Sequence, residues 1–262
     1  MEIWFKQSQA TLLKVFGLIA VFSIAHANES AREVDLWHSL MTDEVRDIPA
    51  FQLPKRNERL PNVLLFGDSI SSDYFPFVAQ ALRGKVNLYR MPPKSDWDSS
   101  TFVPYLTELT STMAPAWEFK WDVIHFNFGL HDMKRYNTLG KKDTVNGSMQ
   151  VGYNDYAQNL TKSLQWLKTN SPDTKLIFAT TTPVPVGEPR RRTADSIGLN
   201  DLAREILADS PDISINDLYS FTLAHHEEWQ LKPHNVHYNE SGSRAQGEAV
   251  ARAILQALSG LN

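Results

Sequence analysis

Ser69 is the residue in this sequence best suited to act as a nucleophile. It ends the triplet Gly67-Asp68-Ser69, which directly follows the apolar run 63–66. A turn at the end of a buried strand presents the serine hydroxyl, and the serine N–H in the same pocket can stabilise an oxyanion. Aspartate and serine are also common helix N-caps, so the triplet alone is compatible with a purely structural role.

His237 is the residue that could serve as general base for Ser69. It lies in the segment 233–238 (Pro-His-Asn-Val-His-Tyr), shortly before the terminal helix predicted for 240–258. An early serine and a late histidine can meet in a parallel α/β fold, because its ligand-binding loops lie at one edge of the sheet.

A third polar cluster, Gly129-Leu130-His131-Asp132, follows the apolar run 121–128. Because it also follows a predicted strand, we expect it at the same edge of the sheet as Ser69. Gly129, His131 and Asp68 are therefore predicted to surround one pocket, and polar residues at two strand ends favour catalysis over simple capping.

Alternating strands and helices must position these clusters. The short apolar run 63–66 predicts a first strand, and the sequence predicts further strands at 85–90, 121–128, 176–180 and 213–218. Helical spacing predicts helices at 74–83, 101–113, 154–169, 193–209 and 240–258. Repeated β-α units of this kind predict a parallel sheet of about five strands with helices on both faces.

The composition sets limits on function. The 262 residues are 42% hydrophobic and 21% charged, which is typical of a globular protein. There is no cysteine, which excludes cysteine nucleophiles and thiolate metal sites. The net charge of −4 argues against nucleic acid as a partner.

The N-terminus predicts export. Residues 1–27 combine lysines, a short apolar run and the sequence Ala-His-Ala, as in a signal peptide cleaved before Asn28. The mature chain is then expected to be secreted or periplasmic, with no membrane attachment. A retained transmembrane anchor is the alternative, but the apolar run is shorter than the ~20 residues that span a bilayer. Residues 28–60 are expected to pack on the domain as a leader, with Trp37, Leu40 and Phe51 as contacts, and 61–262 to form one domain.

Together, the three clusters resemble those of the SGNH, or GDSL-type, ester hydrolases. The resemblance rests on residues 67–69, 129–132 and Val236-His237, and extends from about residue 60 to the C-terminus. It implies a flavodoxin-like three-layer α/β/α sandwich. It also implies hydrolysis of a small-molecule or glycan ester, often a sugar acetate, through an acyl-serine intermediate without metal or cofactor.

The resemblance assigns roles with two departures. Ser69 matches the nucleophile and His237 the general base, while His131 stands where the family has an asparagine that donates to the oxyanion. A histidine N–H can make that donation in one tautomer. The family's second motif supplies a glycine N–H, and here Ser95 or a neighbour within 93–99 is expected to take its place.

A further departure concerns the acid of the triad. The family has an aspartate three residues before the catalytic histidine, and this sequence has His234 there. A backbone carbonyl or His234 could orient His237, or a carboxylate from elsewhere could do so. Asp132, Asp73 and Glu240 are the candidates. Alternatively, the protein is weakly active or a non-catalytic glycan-binding protein.

Two weaker hypotheses concern ligands. His131, Asp132, His234 and His237 could bind a metal, although that leaves the Gly-Asp-Ser triplet unexplained. The consecutive Arg190, Arg191 and Arg192 could bind a substrate carboxylate or sulfate, or form a solvated loop.

Overall fold

The computed structural model of the protein describes residues 31–92 and 97–260. The strands are β1 (Asn62–Phe66), β2 (Asn87–Arg90), β3 (Val123–Phe126), β4 (Arg135–Tyr136), β5 (Ser148–Met149), β6 (Lys175–Ala179) and β7 (Ile213–Asn216). Five of them form one parallel sheet in the order β2-β1-β3-β6-β7. The predicted parallel sheet is confirmed.

Helices cover both faces of this sheet. They are α1 (31–39), α2 (Asp43–Arg46), α3 (Ser69–Ala81), α4 (Phe102–Met113), α5 (Tyr153–Asn170), α6 (Thr193–Ala208), α7 (Leu218–Leu223), α8 (His226–Trp229) and α9 (Glu240–Ser259). Helix α3 packs against α9, whereas α5 packs between α4 and α6. The result is the predicted flavodoxin-like α/β/α sandwich.

The apolar strand sequences explain why the sheet lies in the centre. All four residues of β3 are buried, as are the last four of β1. Such continuous burial is typical of parallel strands covered on both faces. Below the carboxyl edge, Phe66, Phe102 and Phe126 pack edge-to-face or tilted against one another. This aromatic layer supports the loops above it.

Helix α3 begins earlier than the periodicity predicts. The predicted helix starts at residue 74, but α3 starts at Ser69. The Asp68 side chain accepts a hydrogen bond from the Ile70 N–H (2.9 Å) and caps the helix. The polar run after residue 68 is therefore the first turn of α3 rather than a loop.

The segment before β1 packs on the sandwich. Trp37, Leu40 and Phe51 are buried, and the Trp37 indole donates to the Phe51 carbonyl oxygen (2.7 Å). The predicted signal peptide, residues 1–27, lies outside the described residues. No described helix has the length and apolarity needed to cross a membrane.

Candidate active site

The predicted loops meet in one pocket at the carboxyl edge of the sheet. Its volume is about 290 Å³. The described lining consists of Ser69, His131, Lys134, Glu188, Pro189, Arg190, Arg191, His234, Asn235, Val236 and His237. These residues follow β1, β3 and β6 or precede α9. The strand order turns back between β1 and β3, and in open α/β sheets ligands bind in the crevice at such a point.

Ser69 is the first residue of α3, so its N–H has no carbonyl partner within the helix. The N-terminus of a helix also carries partial positive charge, which favours an anion beside it. Gly67 allows the turn before Ser69 to close, because a Cβ at that position would lie 2.9 Å from the Ser71 Cβ. The turn thus presents both the hydroxyl and the N–H of Ser69.

Ser69, His237 and Asp73 form a continuous chain of polar contacts. The Ser69 Oγ lies 3.5 Å from the His237 Nε2, and the His237 Nδ1 lies 2.8 Å from the Asp73 Oδ2. Asp73 is four residues after Ser69 on α3, so both side chains lie on one face of the helix. The arrangement is that of a serine–histidine–carboxylate triad.

The loop before α9 fixes the position of His237. Its N–H donates to the Asn235 side chain (2.8 Å), and its carbonyl oxygen accepts from the Leu231 N–H (2.9 Å). Asn239 then caps α9 by accepting from the Gly242 N–H (3.0 Å). Since α9 packs on α3, the same contact surface brings His237 to Ser69.

His234 and Asp132 were predicted as orienting groups, and the structure corrects both. The His234 Nδ1 lies 2.6 Å from the Val186 carbonyl oxygen, and the residue has a φ of 62°. His234 therefore joins two loops of the pocket. The buried Asp132 carboxylate instead accepts from the Ser99 N–H (2.9 and 3.1 Å).

Among the three carboxylates that the sequence leaves as candidates, only Asp73 contacts His237. Glu240 forms an ion pair with Arg244 (2.8 Å) one turn along α9. The i, i+4 spacing of Ser69 and Asp73 was a usable signal, but it becomes informative only once α3 is known to begin at Ser69.

His131 lies in the pocket beside Lys134, a residue that the sequence interpretation missed. The Lys134 Nζ lies 2.9 Å from the His131 Nδ1. An ammonium group can only donate, so the His131 Nδ1 accepts and the neutral ring carries its proton on Nε2. This is a tautomer that can donate a hydrogen bond to an oxyanion.

Asp68 and Gly129 were predicted to lie around the pocket, but they shape the loops below it. Asp68 is the buried cap of α3. Gly129 has a φ of 145°, and a Cβ there would lie 2.9 Å from the Thr181 Cβ. Only glycine suits both conditions. Ser95, the predicted second oxyanion donor, lies outside the described residues.

The three arginines have different environments. Arg191 is buried, donating from Nε to the Leu130 carbonyl oxygen and from Nη1 to Glu188 (2.9 Å). Arg192 donates to the carbonyl oxygens of Thr144 and Val145. Both hold loops together, which corrects their prediction as substrate-binding residues. Arg190 lines the pocket.

The metal hypothesis requires several ligands around one point. Within residues 31–92 and 97–260, no three histidine, aspartate or glutamate side chains come together in a group that could hold a metal ion.

Comparisons with known proteins show the fold. No protein-family model and no curated protein matches this sequence. A lipase/acylhydrolase from Enterococcus faecalis superimposes with a TM-score of 0.55 at 18% identity, over 74% of this chain and 95% of that one. The acetyl xylan esterase AlAXEase does so with a TM-score of 0.55 at 15% identity, over 74% and 99%.

A structure from Slackia heliotrinireducens assigned to the SGNH hydrolases gives the same TM-score, 0.55, at 15% identity, over 74% of this chain and 99% of that one. At such identities the likeness establishes a common architecture. The resemblance seen in the three motifs is therefore confirmed at the level of the fold, and the chain has the SGNH hydrolase fold.

Proposed function

We propose that this protein is a serine ester hydrolase that removes short acyl groups, above all acetyl, from carbohydrate. The observation that carries the proposal is the chain of contacts from Ser69 through His237 to Asp73, which opens into a pocket. If the Gly-Asp-Ser triplet served only to cap α3, none of these contacts would be needed. The solved structures of similar fold, which include an acetyl xylan esterase, support the same chemistry.

In the first step, the Ser69 Oγ attacks the acyl carbonyl carbon and the His237 Nε2 takes the hydroxyl proton. Asp73 accepts from the His237 Nδ1–H, which holds the ring in the required tautomer and stabilises the imidazolium. The Ser69 contact, at 3.5 Å, is a long hydrogen bond. Such contacts are often long before substrate binds and shorten in the complex.

The negative charge on the carbonyl oxygen needs donors that are already in place. The Ser69 N–H at the start of α3 and the His131 Nε2–H are two such donors. When the intermediate collapses, His237 returns its proton to the leaving alcohol, and the acyl group remains on Ser69. Water then attacks the acyl-enzyme with His237 as base, which releases the acid and restores Ser69.

Release of 4-nitrophenol from 4-nitrophenyl acetate by residues 28–262 tests this proposal, with Ser69→Ala and His237→Ala as comparisons. We expect both variants to lose activity by several orders of magnitude while remaining folded. Acetylated glycans test the substrate class in the same way. If the wild-type protein matches Ser69→Ala on all esters, the catalytic proposal is wrong, and glycan-binding assays then test the alternative of a non-catalytic glycan-binding protein.

The proposal includes export, because residues 1–27 have the pattern of a signal peptide. N-terminal sequencing of the protein recovered from the periplasm or medium of its host should then begin at Asn28.

A further inference from the structure

Arg190 differs from the two arginines that follow it. Its side chain lines the pocket that contains Ser69, whereas Arg191 and Arg192 are bound to backbone oxygens and to Glu188. The Arg190 Nε is buried and has no hydrogen-bond partner among the described residues. Buried polar groups in folded proteins are normally hydrogen-bonded, so this donor lacks a partner that a bound ligand could supply.

The Arg190 backbone is held firmly. Its N–H donates to the Glu188 Oε2 (2.7 Å), and its carbonyl oxygen accepts from the Arg135 N–H (2.7 Å). Arg135 itself makes a two-pronged ion pair with the buried Asp195, at 2.8 Å for each nitrogen. The β4–β5 hairpin, which starts at Arg135, therefore fixes the loop from which Arg190 extends.

The charge of the pocket agrees with an anionic ligand. Its described lining contains three cationic side chains, Lys134, Arg190 and Arg191, and one carboxylate, Glu188. Glu188 is already paired with Arg191 at 2.9 Å. The positive charge of Arg190 therefore has no counter-ion within the described part of the pocket, and an anion entering it would meet a favourable potential.

We propose that Arg190 binds a carboxylate or sulfate on the alcohol part of the substrate, so that the substrate is the acyl ester of an acidic sugar. This rests on the proposed function. The planar guanidinium offers paired donors that match the oxygen geometry of these anions. The anion belongs to the alcohol part because an acetyl group carries no charge. Because Ser69 and Arg190 line one pocket of about 290 Å³, we expect the ester and the anion to lie on one sugar or on adjacent sugars.

Competition with 4-nitrophenyl acetate tests this assignment without knowledge of the natural ester. The competitors are glucuronate and galacturonate, glucose and galactose as their neutral counterparts, and glucose 6-sulfate. We expect the acidic sugars to inhibit at least about tenfold more strongly than the neutral ones. The stronger inhibitor, uronate or sulfate, identifies the anion.

Arg190→Gln should reduce this preference for acidic sugars to about onefold, and Arg190→Lys should retain part of it. Arg192→Gln is the matched control, because it removes the same charge from the same loop but from a side chain bound to carbonyl oxygens. It should keep the preference. Equal inhibition by acidic and neutral sugars, an unchanged preference in Arg190→Gln, or an equal loss in Arg192→Gln would overturn the proposal.

Calorimetric titration of the same sugars into Ser69→Ala separates this proposal from the esterase proposal. If acidic sugars bind through Arg190 but the wild-type protein hydrolyses no ester, only the proposed function is contradicted. Ester hydrolysis without any binding preference for acidic sugars would contradict only the assignment of Arg190.

Discussion

Asp73 orients His237. In the family that the motifs resemble, this carboxylate stands three residues before the catalytic histidine, where this sequence has His234. Asp73→Asn removes the negative charge but keeps an oxygen that can accept from the His237 Nδ1–H. We expect kcat to fall by about 10² to 10⁴, because the imidazolium loses its stabilisation. Stability should change by less than about 1 kcal/mol, since the side chains of both partners are at least one-third exposed. Steady-state kinetics and thermal unfolding measure the two effects.

Glu240→Gln is the control for this change. Glu240 is the first residue of α9, three residues after His237, but its side chain pairs with Arg244. It should retain activity. A similar loss in the two variants would mean that general negative charge, rather than the contact of Asp73 with His237, supports the reaction.

The contact between His131 and Lys134 makes a second residue-scale prediction. His131→Ala should lower kcat by about 10² to 10³, as expected for loss of an oxyanion donor, and His131→Asn should keep most of the activity. Lys134→Met should lower kcat in the wild-type background, because the His131 ring is then free to carry its proton on Nδ1.

In the His131→Asn background, Lys134→Met should change kcat little, since an amide has no tautomer to fix. The four kcat values form a double-mutant cycle. Equal losses from Lys134→Met in both backgrounds would contradict the tautomer role.

At the scale of elements, Arg90 connects β2 to the turn that carries the nucleophile. Its buried guanidinium donates from Nη2 to the carbonyl oxygens of Gly67 and Asp68 (3.3 and 3.2 Å) and to the Ser71 and Ser72 hydroxyls (2.7 and 2.8 Å). Burial lowers the pKa of Arg90 to about 10, and the group lies 4.5 Å from the centre of the Phe51 ring.

Arg90→Lys should lower the free energy of unfolding by about 2–4 kcal/mol, because the shorter lysine side chain does not carry its ammonium to the position of Nη2, where these four contacts converge. It should also lower kcat, since the turn then holds Ser69 less firmly. Urea unfolding and kinetics measure both. The exposed Arg56 provides the control, and Arg56→Lys should change stability by less than about 0.5 kcal/mol. Equal effects of the two substitutions would contradict the connecting role.

At the scale of the whole molecule, the buried Asp132 makes stability depend on pH. Burial raises the pKa of the Asp132 carboxyl to about 7, against an ordinary value near 4. The folded protein therefore binds this proton more tightly than the unfolded chain does. The contribution to stability is fully present below about pH 4 and is lost as the pH rises towards 7.

Asp132→Asn keeps an oxygen that can accept from the Ser99 N–H and removes the titration. We expect the variant to gain stability relative to the wild-type protein as the pH rises from 4 to 7, by at most about 4 kcal/mol. Chemical unfolding at intervals across this range provides the measurement. A stability difference that is the same at every pH would show that Asp132 does not titrate in this window.

The sequence by itself determined the order of the five strands of the main sheet and of the helices between them, the α/β class and the three clusters at the carboxyl edge of the sheet, but not the β4–β5 hairpin or the short helices α7 and α8. These features follow from local periodicity and from the general topology of parallel sheets. Ser69, His131 and His237 could be proposed for the same reason, because each follows a strand or precedes a helix. The Gly-Asp-Ser turn after β1 also indicates that Ser69 opens a helix, whereas the helical spacing by itself begins only at residue 74.

Only the tertiary structure decided which partner each side chain has. It selected Asp73 for His237, although 164 residues separate them. It also showed that Arg191, although it lines the pocket, is paired with Glu188 and that Arg192 is bound to carbonyl oxygens, and it placed Lys134 against His131. A hydrogen bond depends on atoms meeting within a few tenths of an ångström. That precision comes from the packing of α3 on α9 and from the loops around them, which local sequence patterns do not encode.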